Sequence, residues 1–318
     1  MALAMKAHAI RISKGLVEIV DVEIEKPGKG EVLIETKACG ICMSEVYMFT
    51  GKLSGGRIAG HEGVGIVSAI GDGVSGVDIG DRVTTIGGPA FAEYYKTSIR
   101  NIEKIPDYVT DEDIVYWISE PLACVVNAIK GSELKTGDDV CIIGCGYMGL
   151  LIIQALPKNI LGELVAVDIR EDRLKLAERF GATYTLNASK IDVVKEVRRI
   201  VGGYVDVAIE ASGAPNTIYT ATEILRPGGK LILFGWHVDD EIVPTSLWHT
   251  KGLRILNTSP SFSPDFNEDF HDAVKLLKKG VFDQKPLITH RFHYTEAQEA
   301  FKIASEKPEG FVKAVIVF

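Results

Sequence analysis

Short aliphatic and β-branched runs, broken at close intervals by glycine, fill the first hundred positions. Gly30-Glu-Val-Leu-Ile-Glu-Thr36, Gly63-Val-Gly-Ile-Val-Ser-Ala-Ile70 and Asp81-Arg-Val-Thr-Thr-Ile86 are the clearest. Turn-forming clusters, Gly71-Asp-Gly73 and Gly87-Gly-Pro89, stand between them. Runs this short, rich in residues that fit a pleated surface and separated by turns, predict an antiparallel, barrel-like β unit.

Near residue 113 the texture changes. The pattern predicts a helix over 113–130, which Pro121 must kink or divide. Strands and helices then alternate. Val140-Cys-Ile-Ile143 and Leu164-Val-Ala-Val-Asp168 read as buried strands, followed by helices through 150–155 and 171–180. Val205-Asp-Val-Ala-Ile-Glu210, Lys230-Leu-Ile-Leu-Phe234 and Leu253-Arg-Ile-Leu256 supply further strands. Alternation of this kind predicts a parallel sheet covered on both faces. After Ser259-Pro-Ser-Phe-Ser-Pro264 the chain closes with a helix over 268–279 and the strand Val312-Lys-Ala-Val-Ile-Val317. The predicted organisation is α/β, with a middle domain over 123–257 inserted between two parts, 1–122 and 258–318, of a β-rich domain.

Composition narrows the partners. The 318 residues suffice for two domains, and 46% apolar with 25% charged residues describes a soluble globular chain. A formal charge of −8 argues against nucleic acid as a partner. No apolar stretch is long enough to span a membrane, and Met1 to His8 lacks the basic head and long apolar run of a secretory leader. Cysteines at 39, 42, 124, 141 and 145 are too sparse for a disulfide scaffold and point to a reducing, cytoplasmic setting.

Two constellations carry chemistry. Gly144-Cys-Gly146-Tyr-Met-Gly149 follows a predicted strand and opens a helix, and Asp168 stands at the next strand end. In that context the glycine pattern is a dinucleotide fingerprint. Gly144 permits the turn, Gly146 admits the pyrophosphate, Gly149 allows helix and strand to pack, and the helix N-terminus offers amides to phosphate. A carboxylate at Asp168 suits ribose hydroxyls and opposes a 2′-phosphate, which favours NAD over NADP; Arg170 is the one residue here that would favour the phosphate. Tyr147, Met148, Arg173 and Ser212 complete the expected cofactor contacts. The second constellation is Cys42, in Ala38-Cys-Gly-Ile-Cys-Met-Ser-Glu45, with His61, in Gly60-His-Glu-Gly63, and a carboxylate from Glu62 or from Glu120 in Glu120-Pro-Leu-Ala123. Thiolate, imidazole and carboxylate with one position left to water make a catalytic zinc set.

These segments, with Gly80-Asp-Arg-Val83 and in this order, resemble the medium-chain zinc-dependent alcohol and polyol dehydrogenases, above all their sorbitol and threonine dehydrogenase branch. The resemblance spans nearly the whole chain. It implies a Rossmann doubly wound sheet inserted in a GroES-like catalytic domain, and hydride transfer between a secondary alcohol or polyol and NAD. It also implies zinc on Cys42 and His61, with Glu62 and Glu120 alternative carboxylate arms, and leaves Cys39 as a packing residue. Ser44 matches the hydroxyl that takes the substrate proton. Tyr47 stands where relatives often carry a relay histidine, and serves either as a hydrogen-bonding group or as pocket packing. Relatives with a second, structural zinc hold it on four cysteines just after the Gly-Asp-Arg-Val segment; Val83 to Ala92 contains none, so one catalytic zinc and no structural zinc is expected. Pairing through Leu253–Leu256 would make a homodimer or homotetramer. The competing expectations are a zinc-free quinone or enoyl reductase of the same superfamily and a non-catalytic NAD-binding protein.

Overall fold

The computed structural model describes residues 5–318; the first four residues of the segment read above as leader-free lie outside it. The chain forms two compact units. One comprises the residues up to Ala123 together with Phe270–Phe318, and the other is Cys124–Asp269.

The middle unit carries six parallel strands in the spatial order Tyr184–Asn187, Leu164–Asp168, Val140–Ile143, Val205–Glu210, Leu225–Leu233, Arg254–Asn257. Numbered along the chain this is 3-2-1-4-5-6, the doubly wound dinucleotide-binding order, whose direction switches between the first and fourth strands. Val140–Ile143 and Leu164–Asp168 are buried at every position, which explains their unbroken apolar sequence: helices cover both faces. The unit ends later than the sequence pattern suggested, at Asp269 and not at 257. The physical reason is a set of polar ties. Asn127 Nδ2 donates to the Thr258 carbonyl at 2.9 Å, Lys130 pairs with Asp269 at 2.8 Å, and Ser263 Oγ donates to Asp269 at 2.6 Å.

The β-rich unit is built on a seven-stranded sheet. Six strands run in the order Ile288–His293, Lys313–Val317, Glu31–Gly40, Gly63–Ile70, Arg82–Thr85, Ile102–Lys104, and Tyr94–Ser98 also pairs with Glu31–Gly40. Every pairing is antiparallel except that of Ile288–His293 with Lys313–Val317. A smaller sheet of Leu16–Ile24, Met5–Ser13 and Arg57–Ile58 lies in the same unit. Between them Ile10, Ile12, Ile34, Phe91, Tyr95 and Phe301 are fully buried, each large side chain contributing about 1.5–3 kcal/mol of burial. The final strand sets Ile316 opposite Cys39 and Val315 opposite Gly40. Strand alternation then puts Lys313 on the face of Val315, which packs with Trp117 and Ile118.

One predicted element divides. The helix expected over 113–130 is a 3-10 turn, Ile114–Trp117, followed by an α-helix, Glu120–Ser132. Pro121 sits in the first turn of the second piece, where its missing N–H has no intrahelical partner to lose. Residue 120 thereby becomes the opening of a helix.

A Cβ on Gly149 would lie 1.9 Å from the Gly144 carbonyl oxygen. Gly149→Ala is therefore expected to push the helix Tyr147–Ala155 off its strand, at a cost of about 1–3 kcal/mol. Calorimetry should show a lower melting temperature, and titration a loss of NADH affinity.

Candidate active site

Cys42 is the N-cap of the helix Met43–Thr50, which ends at Gly51 in a left-handed conformation (φ 80°). Its backbone N–H donates to Glu45 Oε2 at 3.1 Å, so Glu45, three residues on, closes the first turn from its own side chain. Gly60, at φ 94°, makes the turn that presents His61 just before the strand Gly63–Ile70. Glu45 Oε1 lies 2.8 Å from His61 Nδ1. That bond fixes the ring and leaves Nε2 as the nitrogen for a metal, the usual arrangement of a second carboxylate behind a ligating histidine.

The ionisable groups perturb one another strongly. Burial alone would lower the His61 imidazolium, but hydrogen bonds to Cys42 and Glu45 and the charge of Glu45 raise it well above its ordinary value. Burial would raise the Glu45 carboxyl; hydrogen bonds from His61 and Ser44, with the charge of His61 and Lys313, hold it below the usual range. At Glu120 the balance runs the other way. Burial chiefly, with Glu62 and Glu45 adding and His61 and Lys313 opposing, pushes it up to about 7.

Potential ligand atoms of Cys42, Glu45 and His61 all lie within 4.8 Å of one another, and so do those of His61, Glu62 and Glu120. The two groups share His61. Glu62 is also ion-paired: Lys313 Nζ lies 2.8 Å from Oε1 and 2.6 Å from Oε2, with both residues buried. Gly40 makes the room, since a Cβ there would fall 1.9 Å from Glu62 Oε2. Cys39 is fully buried, outside both groups, and burial pushes its thiol up. Ser44 and Tyr47 stand half-buried at i and i+3 on the helix Met43–Thr50, hence on adjoining positions of one face, and Lys52 Nζ lies 5.8 Å from the Tyr47 ring centre.

Glu45 and Lys313 are the functional neighbours that sequence reasoning missed. A carboxylate at the third position of a helix opened by a cysteine was a visible signal for the first. A lysine inside an otherwise apolar terminal strand was the signal for the second.

In the middle unit the glycines stand as the fingerprint requires. Gly144 has φ 101° and is backed by Ser212; a Cβ there would lie 2.7 Å from Ser212 Cβ. Over Gly146 nothing lies within 4 Å of such an atom, so backbone is open to approach by phosphate. Gly146 caps the helix Tyr147–Ala155 without a side-chain bond, so that its N-terminus suits an anion; Tyr147 is buried and Met148 half-buried. Asp168 ends its strand, and Arg173 Nη1 approaches it to 4.0 Å. All eight residues expected at the cofactor therefore belong to one unit, around the C-terminal ends of its strands.

Comparison with known proteins agrees with both halves. The zinc-binding dehydrogenase family model matches residues 148–279, and that for the alcohol dehydrogenase GroES-like domain matches residues 28–107. L-Threonine 3-dehydrogenase of Francisella tularensis is 31% identical over 344 residues, covering 94% of this chain and 96% of its own. D-Xylulose reductase of Saccharomyces cerevisiae is 29% identical over 343 residues, covering 95% of each. The solved structure of an alcohol dehydrogenase from Escherichia coli CFT073 with NADH superposes with a TM-score of 0.87 at 25% identity, covering 98% of this chain and 99% of that one. Fold and site thus define a zinc-binding dehydrogenase. The chain belongs to the medium-chain zinc-dependent alcohol and polyol dehydrogenases, and is an oxidoreductase that works with zinc and NAD.

Breaking a buried ion pair from one side leaves a charge without compensation. Lys313→Met is expected to destabilise the β-rich unit by about 3–5 kcal/mol, and Lys313→Met with Glu62→Gln to recover most of that loss. Calorimetric melting of the two variants beside the parent checks it; equal melting of single and double variants contradicts it.

Proposed function

We propose that the enzyme interconverts a secondary alcohol or polyol and its carbonyl form, with Cys42, His61 and Glu120 holding a single catalytic zinc. The observation that carries this is a pair of groups joined at His61, Cys42 with Glu45 and His61, and His61 with Glu62 and Glu120, the ligand atoms of each group lying within 4.8 Å of one another. The donor set suits zinc, which takes sulfur, nitrogen and oxygen and keeps a fourth position for substrate or water. Glu62 has both oxygens against Lys313, which favours Glu120 as the third arm and gives Glu62 the part of balancing its neighbours.

Bound there, zinc would supply Lewis acidity toward the substrate oxygen, and NAD a hydride acceptor. The protein's own residues do the rest. Glu45 holds His61 in the tautomer that presents Nε2. Ser44 Oγ, two residues from Cys42, takes the proton of the substrate hydroxyl. Tyr47, on the same helix face, receives a hydrogen bond from this path or passes it to water. Gly144, Gly146, Gly149 and the amides of the following helix bind the pyrophosphate, and Asp168 binds the adenosine ribose. The relatives named for threonine and xylulose support a substrate with a secondary hydroxyl beside other polar groups.

Five cysteines without a disulfide support a cytoplasmic setting. Among the described residues no helix is long and apolar enough to cross a membrane. The strand Arg254–Asn257 forms one edge of the parallel sheet with Ile255 and Leu256 half-exposed, which supports a homodimer or homotetramer paired along that edge.

Cys42→Ala and His61→Ala are expected to abolish zinc, by metal analysis, and turnover of polyols, amino alcohols and secondary alcohols, while NADH still binds. Glu120→Gln should lower zinc content more than Glu62→Gln does. Retention of zinc and full turnover by Cys42→Ala would sink the assignment, and a metal-free protein that reduces quinones would replace it.

A further inference from the structure

Choice of cofactor turns on charges at the start of one helix in the middle unit. The Asp168 carboxylate accepts from the amides of Cys145, at 2.7 Å, and Arg170, at 2.9 Å. Arg170 immediately precedes the helix Glu171–Arg179. Its guanidinium is turned onto Asp172, with Nε donating to Oδ1 at 3.0 Å and Nη2 to Oδ2 at 2.5 Å. Such two-pronged pairing fixes the plane of the guanidinium as well as its position. The two side chains keep only 18% and 32% of their exposure, so solvent screens the pair less than it would a fully exposed one. The neighbouring Glu171 takes no part, being engaged by Lys190 and Asn187, each at 2.6 Å.

We propose that Asp172 is a cofactor-selecting residue that acts through Arg170, holding its guanidinium away from the place a 2′-phosphate would occupy. The inference rests on NAD binding at the Gly144–Gly149 turn. A 2′-phosphate at this strand end meets one obstacle already, the Asp168 carboxylate. The remedy in a site that accepts it is an arginine beside the ribose. Arg170 stands two residues from Asp168, but its fork is committed to a carboxylate that a phosphate would have to displace. Selection against NADP therefore has two parts, repulsion by Asp168 and sequestration of Arg170 by Asp172. Removing the first alone does not supply the cation.

The test is calorimetric binding of NADH, NADPH and adenosine 2′-monophosphate to the full-length enzyme and to four variants: D168S, D172S, D168S/D172S and D168S/D172S/R170A. From D168S to D168S/D172S the NADPH affinity is expected to rise about tenfold or more, and R170A to erase that gain, as for one charge-assisted contact. Adenosine 2′-monophosphate should follow NADPH, and NADH should change by less than about threefold between the same two proteins. The proposal is overturned if D168S alone binds NADPH as tightly as the double variant, or if the gain survives R170A. Should D168S not fold by calorimetric melting, D172S against D172S/R170A makes the same comparison with Asp168 intact. There a several-fold gain erased by R170A supports the idea, and no gain overturns it. Failure of the unaltered enzyme to bind NADH at all would overturn the underlying cofactor reading, a result visible before any variant is compared.

Discussion

The pairing of Glu62 with Lys313 is the contact on which the polar centre of the β-rich unit depends. It joins residues 251 apart in sequence, both almost wholly removed from water. A buried ion pair of this kind adds little net stability, because the lost hydration of both groups offsets their attraction. Its effect is positional. Glu62 follows His61 directly, so fixing its carboxylate from the last strand fixes the loop that presents the imidazole. Gly40 allows this by leaving the space that any side chain would take. The terminal strand, which closes the sheet beside Glu31–Gly40, is thereby also part of the site.

Around that pair the charges do not balance among themselves. Glu45, Glu62 and Glu120 and the Cys42 thiol face one ammonium and one imidazole. Glu45 is held ionised by His61 and Ser44, whereas Glu120 is pushed up to about 7. The pattern is what a cation-binding centre requires, since its ligands give up protons when metal binds. Lys313 supplies part of the charge that a single divalent ion would leave uncovered.

Much of this was legible in the chain. The fingerprint glycines are local, and each role assigned to them has a steric counterpart: a contact with Ser212, open space over Gly146, and a contact with the Gly144 carbonyl. Parallel strands buried on both faces announce themselves by unbroken apolar runs. Cys42 and His61 could be singled out by residue type and context, with the carboxylate arm left open between Glu62 and Glu120. What could not be read was partnership across the chain. Nothing near Glu62 in sequence indicates Lys313, and its pairing exists only because one strand register brings residue 315 opposite residue 40. The end of the middle unit was misjudged for a similar reason. Polar ties from Asn127 and Lys130 to Thr258 and Asp269 hold a proline-bearing segment that looks like a linker. The helix at 113–130 divides near Pro121, as the proline required, because proline suits a first turn better than an interior.

The two centres share a physical device. Glu45 accepts from a backbone amide and from the ring it orients, and Asp168 accepts from two backbone amides. In each case the carboxylate is placed by the fold itself, so little ordering would remain to be done on binding. Charged groups elsewhere in these sites are likewise engaged in advance, Glu62 by Lys313 and Arg170 by Asp172. An engaged group is offered to a new partner only if that partner outcompetes the old one. Discrimination among ligands then depends as much on which charges are already committed as on which residues line the site.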